Sequence, residues 1–427
     1  MMDDAPILWL NNDCLLILFK YLKIEDLLSL EEVCVRFQDV VQLSYRTIPI
    51  MNFVELAKRS MGPISLSMAE KISRRVGPYV HHLNVSSESL GIPDECPPLT
   101  ILEHFKQLRG IRLVEFDFSN ETSIRVLSEM FGKMKSASFE NCQLTDEGLL
   151  ACFLRTNELE VFRLVSTECL TGKFLQGLRG LKEAELYINS PLEAVYFREF
   201  CEANRQLYYF ELYGFGNING TCVQSMLTNL RDLKTLSMCD LPNIKSKDIE
   251  TIGDLVGLRN LELFYFTLMS DDIFDELLEK MIRRGTLEHL GISCAVFVKD
   301  STLRKVARFQ NLKSLGLKGI ATDSLLAKLT CFPTLEGLDV SESKVTAKGL
   351  RKFIMKCPLL EFVDLSDNEI SFKFIQSLGS HLRSRSKMIN FVVSHTPIVE
   401  VLEGPTDIIL DFLYNKTNGQ IKFIYKN

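Results

Sequence analysis

The chain has 427 residues, 46% of them hydrophobic, and its 55 acidic and 49 basic side chains give a formal net charge of −6. That length exceeds a small single core and fits one extended domain plus an appendage. The slight acidic excess argues against a phosphate-binding surface, so no nucleic-acid partner is expected. The start, Met1-Met2-Asp3-Asp4, has neither the basic nor the apolar region of a secretory leader, and no stretch approaches the length of a membrane span. Twelve cysteines, spread from Cys14 to Cys357 without a CxxC pair, read as free buried thiols. The expected location is cytoplasmic or nuclear, and the sequons at Asn84, Asn120, Asn219 and Asn415 are then chance matches.

In chain order, the first element is Leu10 to Phe37. Leu15, Leu18, Phe19 and Leu22 recur at i, i+3, i+4 and i+7, which lines one face of a short helix. Asn12 or Asp13 stands where a side-chain oxygen can cap its first turn. A second amphipathic segment starts at Asp26-Leu27-Leu28 and runs through Val33-Cys34, and a third runs from Arg36-Phe37 through Leu43. About forty residues with this many large apolar groups cannot bury them all against one another.

These residues resemble the F-box, the motif by which substrate receptors dock onto the adaptor subunit of SCF ubiquitin ligases. The family order of leading Leu, acidic residue, Leu-rich helix with Leu-Phe, Leu, Asp-Leu, Val-Cys and aromatic residue reads here Leu10, Asp13, Leu15, Leu18-Phe19, Leu22, Asp26-Leu27, Val33-Cys34, Arg36-Phe37. Asn11 stands where the family usually has proline, and Phe37 where it often has tryptophan. The resemblance implies that Leu10, Leu15, Leu18, Phe19, Leu22, Leu27, Val33, Cys34 and Phe37 contact the adaptor, and through it the cullin. Sequence alone does not divide these from residues that hold the three helices together.

Residues 45–79 read as an irregular opening repeat, with Ile48 and Ile50 alternating like a strand and a helix over Ala69–Arg75. A pattern LxxLxL then recurs, starting at Val80, Leu108, Met134, Leu159, Leu181, Leu207, Leu233, Leu258, Leu287, Leu312, Leu335, Leu360 and, more weakly, Met388. Its period of about 26 residues lies in the leucine-rich-repeat range. Two units share a tail in register, Cys142-Gln143-Leu144-Thr145-Asp146-Glu147-Gly148-Leu149 and Ser343-Lys344-Val345-Thr346-Ala347-Lys348-Gly349-Leu350. That tail resembles the cysteine-containing repeat common in F-box proteins. Glu88–Thr100, rich in proline, reads as a loop insertion, and Ile408–Tyr414 with Gln420–Tyr425 as a cap. The expected fold is α/β: a leucine-rich-repeat solenoid over 80–405, with a curved parallel sheet inside and helices outside. A three-helix F-box over 1–44 precedes it, and a cap over 406–427 follows.

No catalytic constellation emerges. The histidines at 81, 82, 104, 289, 381 and 395 form neither HExxH nor a spacing with cysteines, so no metal is expected. Gly214-Phe215-Gly216-Asn217-Ile218-Asn219-Gly220 misses GxGxxG by one residue and reads as a strand-to-helix turn. There is no GxSxG, and neither an enzyme nor a cofactor is expected. In each unit the third and fifth residues, and the one after the sixth, project from the strand face. Across adjacent units they read Glu183, Glu185, Tyr187; Tyr209, Glu211, Tyr213; Thr235, Ser237, Cys239; and Asn260, Glu262, Phe264. With strands about 4.8 Å apart, an acidic and aromatic patch is expected. Its carboxylates would select a basic segment of a protein substrate. The expected function is therefore a non-catalytic substrate receptor of an SCF-type ligase. The alternative is a repeat scaffold or inhibitor whose N-terminal helices are only a cap.

Overall fold

The structure, a computed structural model, describes residues 6–92, 98–166, 170–188, 192–214, 218–239, 243–265, 270–293, 298–329, 332–371, 374, 378, 389–393 and 421–424. The chain falls into two compact units, Met1–Asn204 and Arg205–Asn427. The boundaries expected after residues 44 and 79 lie inside the first of them.

The first unit opens on a 3-10 turn, Pro6–Trp9, and three helices, α1 (Asn12–Phe19), α2 (Ile24–Leu30) and α3 (Val35–Tyr45). A short strand β1 (Ile50–Asn52) follows, then α4 (Phe53–Arg59) and α5 (Leu66–Val76). The strands β2 (His82–Ser86), β3 (Gly110–Val114), β4 (Ser136–Glu140), β5 (Val161–Ser166) and β6 (Glu183–Ile188) come next, with helical segments between them. All pair in parallel and in chain order. Met51, Leu83, Ile111, Ala137, Phe162 and Ala184 stand in register as one buried column.

The second unit repeats the device with β7 (Tyr209–Tyr213), β8 (Thr235–Cys239), β9 (Asn260–Phe264), β10 (His289–Ser293), β11 (Ser314–Gly316), β12 (Gly337–Asp339), β13 (Phe362–Asp364), β14 (Ile389–Val392) and β15 (Ile421–Ile424). Its column runs Phe210, Leu236, Leu261, Leu290, Leu315, Leu338, Val363 and Phe391, each 1% exposed or less. The leading Leu of each motif, such as Leu207 and Leu233, closes the same layer. Burial of such side chains contributes about 1.5–3 kcal/mol each, and a unit reaches it only against a neighbour.

The shared Thr-x-x-Gly-Leu tail has a physical reason. Thr145 and Thr346 are helix N-caps, with hydroxyls accepting the N–H of Gly148 at 3.0 Å and of Lys348 at 3.3 Å. A Cβ on Gly148 would press on Ile124 of the preceding helix at 3.1 Å, and one on Gly349 would overlap the Asp323 carboxylate. Glycine there lets neighbouring helices pack side by side. Asp146 carries the stack further: its carboxylate, 7% exposed, accepts the backbone N–H groups of Thr171 at 2.7 Å and Phe174 at 3.0 Å in the next unit.

Three expectations change. The opening strand is Ile50–Asn52 and runs directly into α4, because the Asn52 side chain caps that helix by accepting the N–H of Glu55 at 3.0 Å. Glu88–Thr100 is not loop throughout. Ser87–Leu90 is helical with a Ser86–Ser89 capping box, and Leu99–Leu102 is helical again. Of the expected cap, 406–420 and 425–427 lie outside the described residues, while Ile421–Ile424 adds a parallel strand beside β14.

Candidate protein-interaction surfaces

The N-terminal helices divide their apolar side chains cleanly. Asn11, rather than Asn12 or Asp13, caps α1: its Oδ1 accepts the N–H of Cys14 at 2.8 Å. The residue that stands where the F-box pattern has proline thus still starts the helix. Leu15 and Phe19 turn inward, and the Phe19 ring meets Phe37 edge to face at 5.6 Å and 88°. Leu27, Leu28, Val40, Val41 and Tyr45 complete that core. The expectation that Leu15, Phe19, Leu27 and Phe37 meet an adaptor is therefore corrected, because each is 4% exposed or less and belongs to the internal packing.

Leu18, Leu22, Val33 and Cys34 remain exposed, and Leu10 is half-buried. Sequence reasoning missed Trp9, Ile17, Tyr21 and Val35, which are 75%, 55%, 85% and 73% exposed. The signal available was their position in sequence beside the motif residues, with Ile17 on the α1 face opposite Leu15 and Phe19. Arg36 draws the ends together. Its Nε donates to Asn12 Oδ1 at 2.9 Å, and its guanidinium also bonds the Leu10 carbonyl. The start of α3 is thereby held against the residues that lead into α1. Apolar exposure on this scale marks an interaction surface.

A polar clasp ties these helices to the first repeat. Glu31, 7% exposed, accepts the Tyr45 hydroxyl at 3.1 Å and faces Arg75 Nη2 of α5 at 3.1 Å. Burial and the Glu31 charge both push the Tyr45 phenol up, which keeps it a donor. Lys71 and Glu32 pair beside it at 2.7 Å.

On the strand face of the first unit, Asn84, Arg112, Ser138, Arg163 and Glu185 stand in register. Arg112 donates to Asn84 at 3.1 Å and, in fork geometry, to both Glu140 oxygens at 2.8 and 2.6 Å. Arg163 lies 3.7 Å from Glu140 and 3.2 Å from Glu185, with its guanidinium 6.0 Å from the centre of the Tyr187 ring. Burial pushes the Glu140 carboxyl up, but the two arginines outweigh it and hold the group below its ordinary value. Glu185 and Tyr187 thus join a ladder of alternating charge through Arg163, and Glu183, Glu185 and Tyr187 are all half-buried. An acidic and aromatic patch was expected here, without the arginines that interleave it. The arginines were legible in principle, at the same strand position one or more units earlier.

In the second unit, Tyr209, Glu211, Tyr213, Glu262 and Phe264 are likewise half-buried on the strand face. Tyr209 bonds Glu211. The Tyr213 hydroxyl lies 2.8 Å from Ser237 Oγ, which donates to Glu262 at 3.1 Å, and Glu262 meets His289 Nε2 at 2.8 Å. Ser237 projects from the strand face as expected, in register with Glu211 and Glu262, and is buried there beneath its neighbours. Burial raises the Glu262 carboxyl. The His289 hydrogen bond and charge, with the Ser237 bond, bring it below its ordinary value of 4.5. Beyond it, Gly291 and Gly316 continue the row in register, and Gly291 is buried with the Glu262 side chain against it.

Of the near-match to a dinucleotide loop, Phe215–Asn217 lies outside the described residues. Asn219 is a helix N-cap whose side chain accepts the N–H of Thr221 at 3.0 Å. Eight described cysteines are free thiols, and of these Cys14 and Cys34 are exposed, against the expectation of burial. No helix among the described residues is long and apolar enough to cross a membrane.

No protein-family model matches the chain, and no curated protein matches it. Among solved structures, a chain of the Rad7 and Elc1 complex in yeast is similar over 82% of this chain and 95% of its own, at 14% identity and a TM-score of 0.52. The chain has the leucine-rich-repeat fold. An internalin of Listeria monocytogenes matches over 88% of this chain and 95% of its own, at 15% identity and a TM-score of 0.42.

Proposed function

We propose that the chain is the non-catalytic, substrate-recognition subunit of an SCF-type ubiquitin ligase, acting in the cytoplasm or nucleus. The helices α1–α3 dock on the adaptor and through it the cullin, and the strand face holds a protein substrate for ubiquitination and degradation. The observation that carries this reading is the division within α1: Leu15 and Phe19 close the internal core while Ile17 and Leu18, with Tyr21 and Leu22 just beyond, face outward. A mere cap on the repeats would have no need of that second apolar face. The similar yeast chain comes from a two-protein complex, in keeping with a repeat chain that carries a partner. The chain itself does no chemistry; it raises the effective concentration of a bound target near a conjugating enzyme.

Co-purification of the full chain with the SCF adaptor tests the reading. The parent should retain the adaptor, and Leu18→Lys combined with Tyr21→Lys should lose it while changing stability by only about 0.5 kcal/mol, as for other surface changes. Failure of the parent to retain the adaptor, or equal retention by the double variant, would leave the scaffold reading in its place. For the substrate, affinity purification under proteasome blockade should recover partners that disappear when Glu185, Glu211 and Glu262 are reversed to lysine.

A further inference from the structure

We infer that the free edge of β1 is a second binding site, which takes an extended peptide segment bearing arginine or lysine as an added strand. Among the described residues β1 ends the sheet and pairs with β2 alone. The Pro49 carbonyl accepts the N–H groups of His81 and His82 at 2.8 and 3.0 Å. The alternation of a parallel ladder then directs the Met51 backbone to β2 and turns the Ile50 N–H and C=O, and the Asn52 N–H, outward. Such an edge is a template for strand addition.

Along it runs a cleft of about 350 Å³ between the α1–α2 turn and α4. Its apolar wall is already outward-facing: Ile50 is 60% and Leu22 38% exposed. Leu22 is the one residue it shares with the helical docking surface. The sign of the occupant comes from Glu25. Its Oε2 is buried in the cleft wall with no hydrogen-bond partner, a costly state for a carboxylate until a donor reaches it. Of the other charged groups on the wall, Glu55 is already tied to Arg59 at 3.0 Å, and Lys23 makes no bond to Glu25 Oε2. The cleft therefore lacks a donor at one defined point, beside a row of backbone groups that a peptide strand would satisfy.

Fluorescence anisotropy of the full chain with two labelled peptides tests the site, one alternating valine with arginine and one alternating valine with glutamate. The arginine peptide should bind saturably and the glutamate peptide should not. Glu25→Gln should weaken the arginine peptide at least tenfold without lowering the melting temperature, since that oxygen has no partner to lose. Methylating alternate amide nitrogens of the peptide should abolish binding in one alternation and spare it in the other. Leu18→Lys and Glu262→Lys should bind as the parent does. No saturable binding, equal binding by Glu25→Gln, insensitivity to both methylation patterns, or loss on Glu262→Lys instead would overturn the proposal. Self-association of the chain that Glu25→Gln abolishes would overturn it too, by assigning the edge to a second copy.

Discussion

At the scale of single residues, glycines and buried carboxylates set the tolerances of the stack. A methyl group on Gly349 would collide with the Asp323 carboxylate, whereas one on Gly132 meets nothing within 4 Å. Gly349→Ala should therefore cost about 1–3 kcal/mol in chemical denaturation, as overpacking does, and Gly132→Ala should leave the unfolding free energy within about 0.5 kcal/mol of the parent. Glu262 offers a test in pH. Its carboxyl is held below 4.5 in the folded chain, so its stabilising contribution is complete above that value and disappears as pH falls through the folded-state pKa. Urea denaturation of the parent and of Glu262→Gln should differ most above pH 5, and the difference should shrink as pH falls below it. None of this was legible in the sequence, because Glu262 meets His289 across 27 positions, and only the register of β9 on β10 makes them neighbours.

At the scale of elements, α1 shows where sequence reading stops. Leu15 and Leu18 carry the same side chain three positions apart, yet one is sealed and the other 46% exposed. Periodicity places both on a broad apolar sector; the angle at which α3 crosses α1, set in part by Arg36 on Asn12, decides which half is closed. Phe19→Ala should accordingly cost about 3–5 kcal/mol, measurable by chemical denaturation, and remove the edge-to-face contact with Phe37. Leu18→Lys, one residue away, should be nearly neutral in the same assay. The repeat strands were legible because their spacing leaves one solution: a one-residue slip would put the whole Phe210-to-Phe391 column on the wrong side of the sheet.

At the scale of the molecule, stability in a repeat chain is local. Leu236→Ala removes a side chain from the centre of a buried column and should cost about 2–5 kcal/mol. By hydrogen exchange, the lost protection should fall on β7, β8 and β9, with β2 to β4 unchanged. The clasp of Glu31 with Tyr45 and Arg75 works at this scale as well. Buried ion pairs add little net stability, but this one needs α2, α3 and α5 at fixed positions to close. The N-terminal helices are thus mounted on the first repeat as a bracket is bolted to a beam, not hung from it on a tether. Whatever docks on that bracket inherits a set direction relative to the first strands. On the proposed receptor role, Arg75→Met, which takes the cation from the buried Glu31 carboxylate, should act as a change of aim: adaptor still retained in co-purification, ubiquitin transfer to a bound substrate less productive.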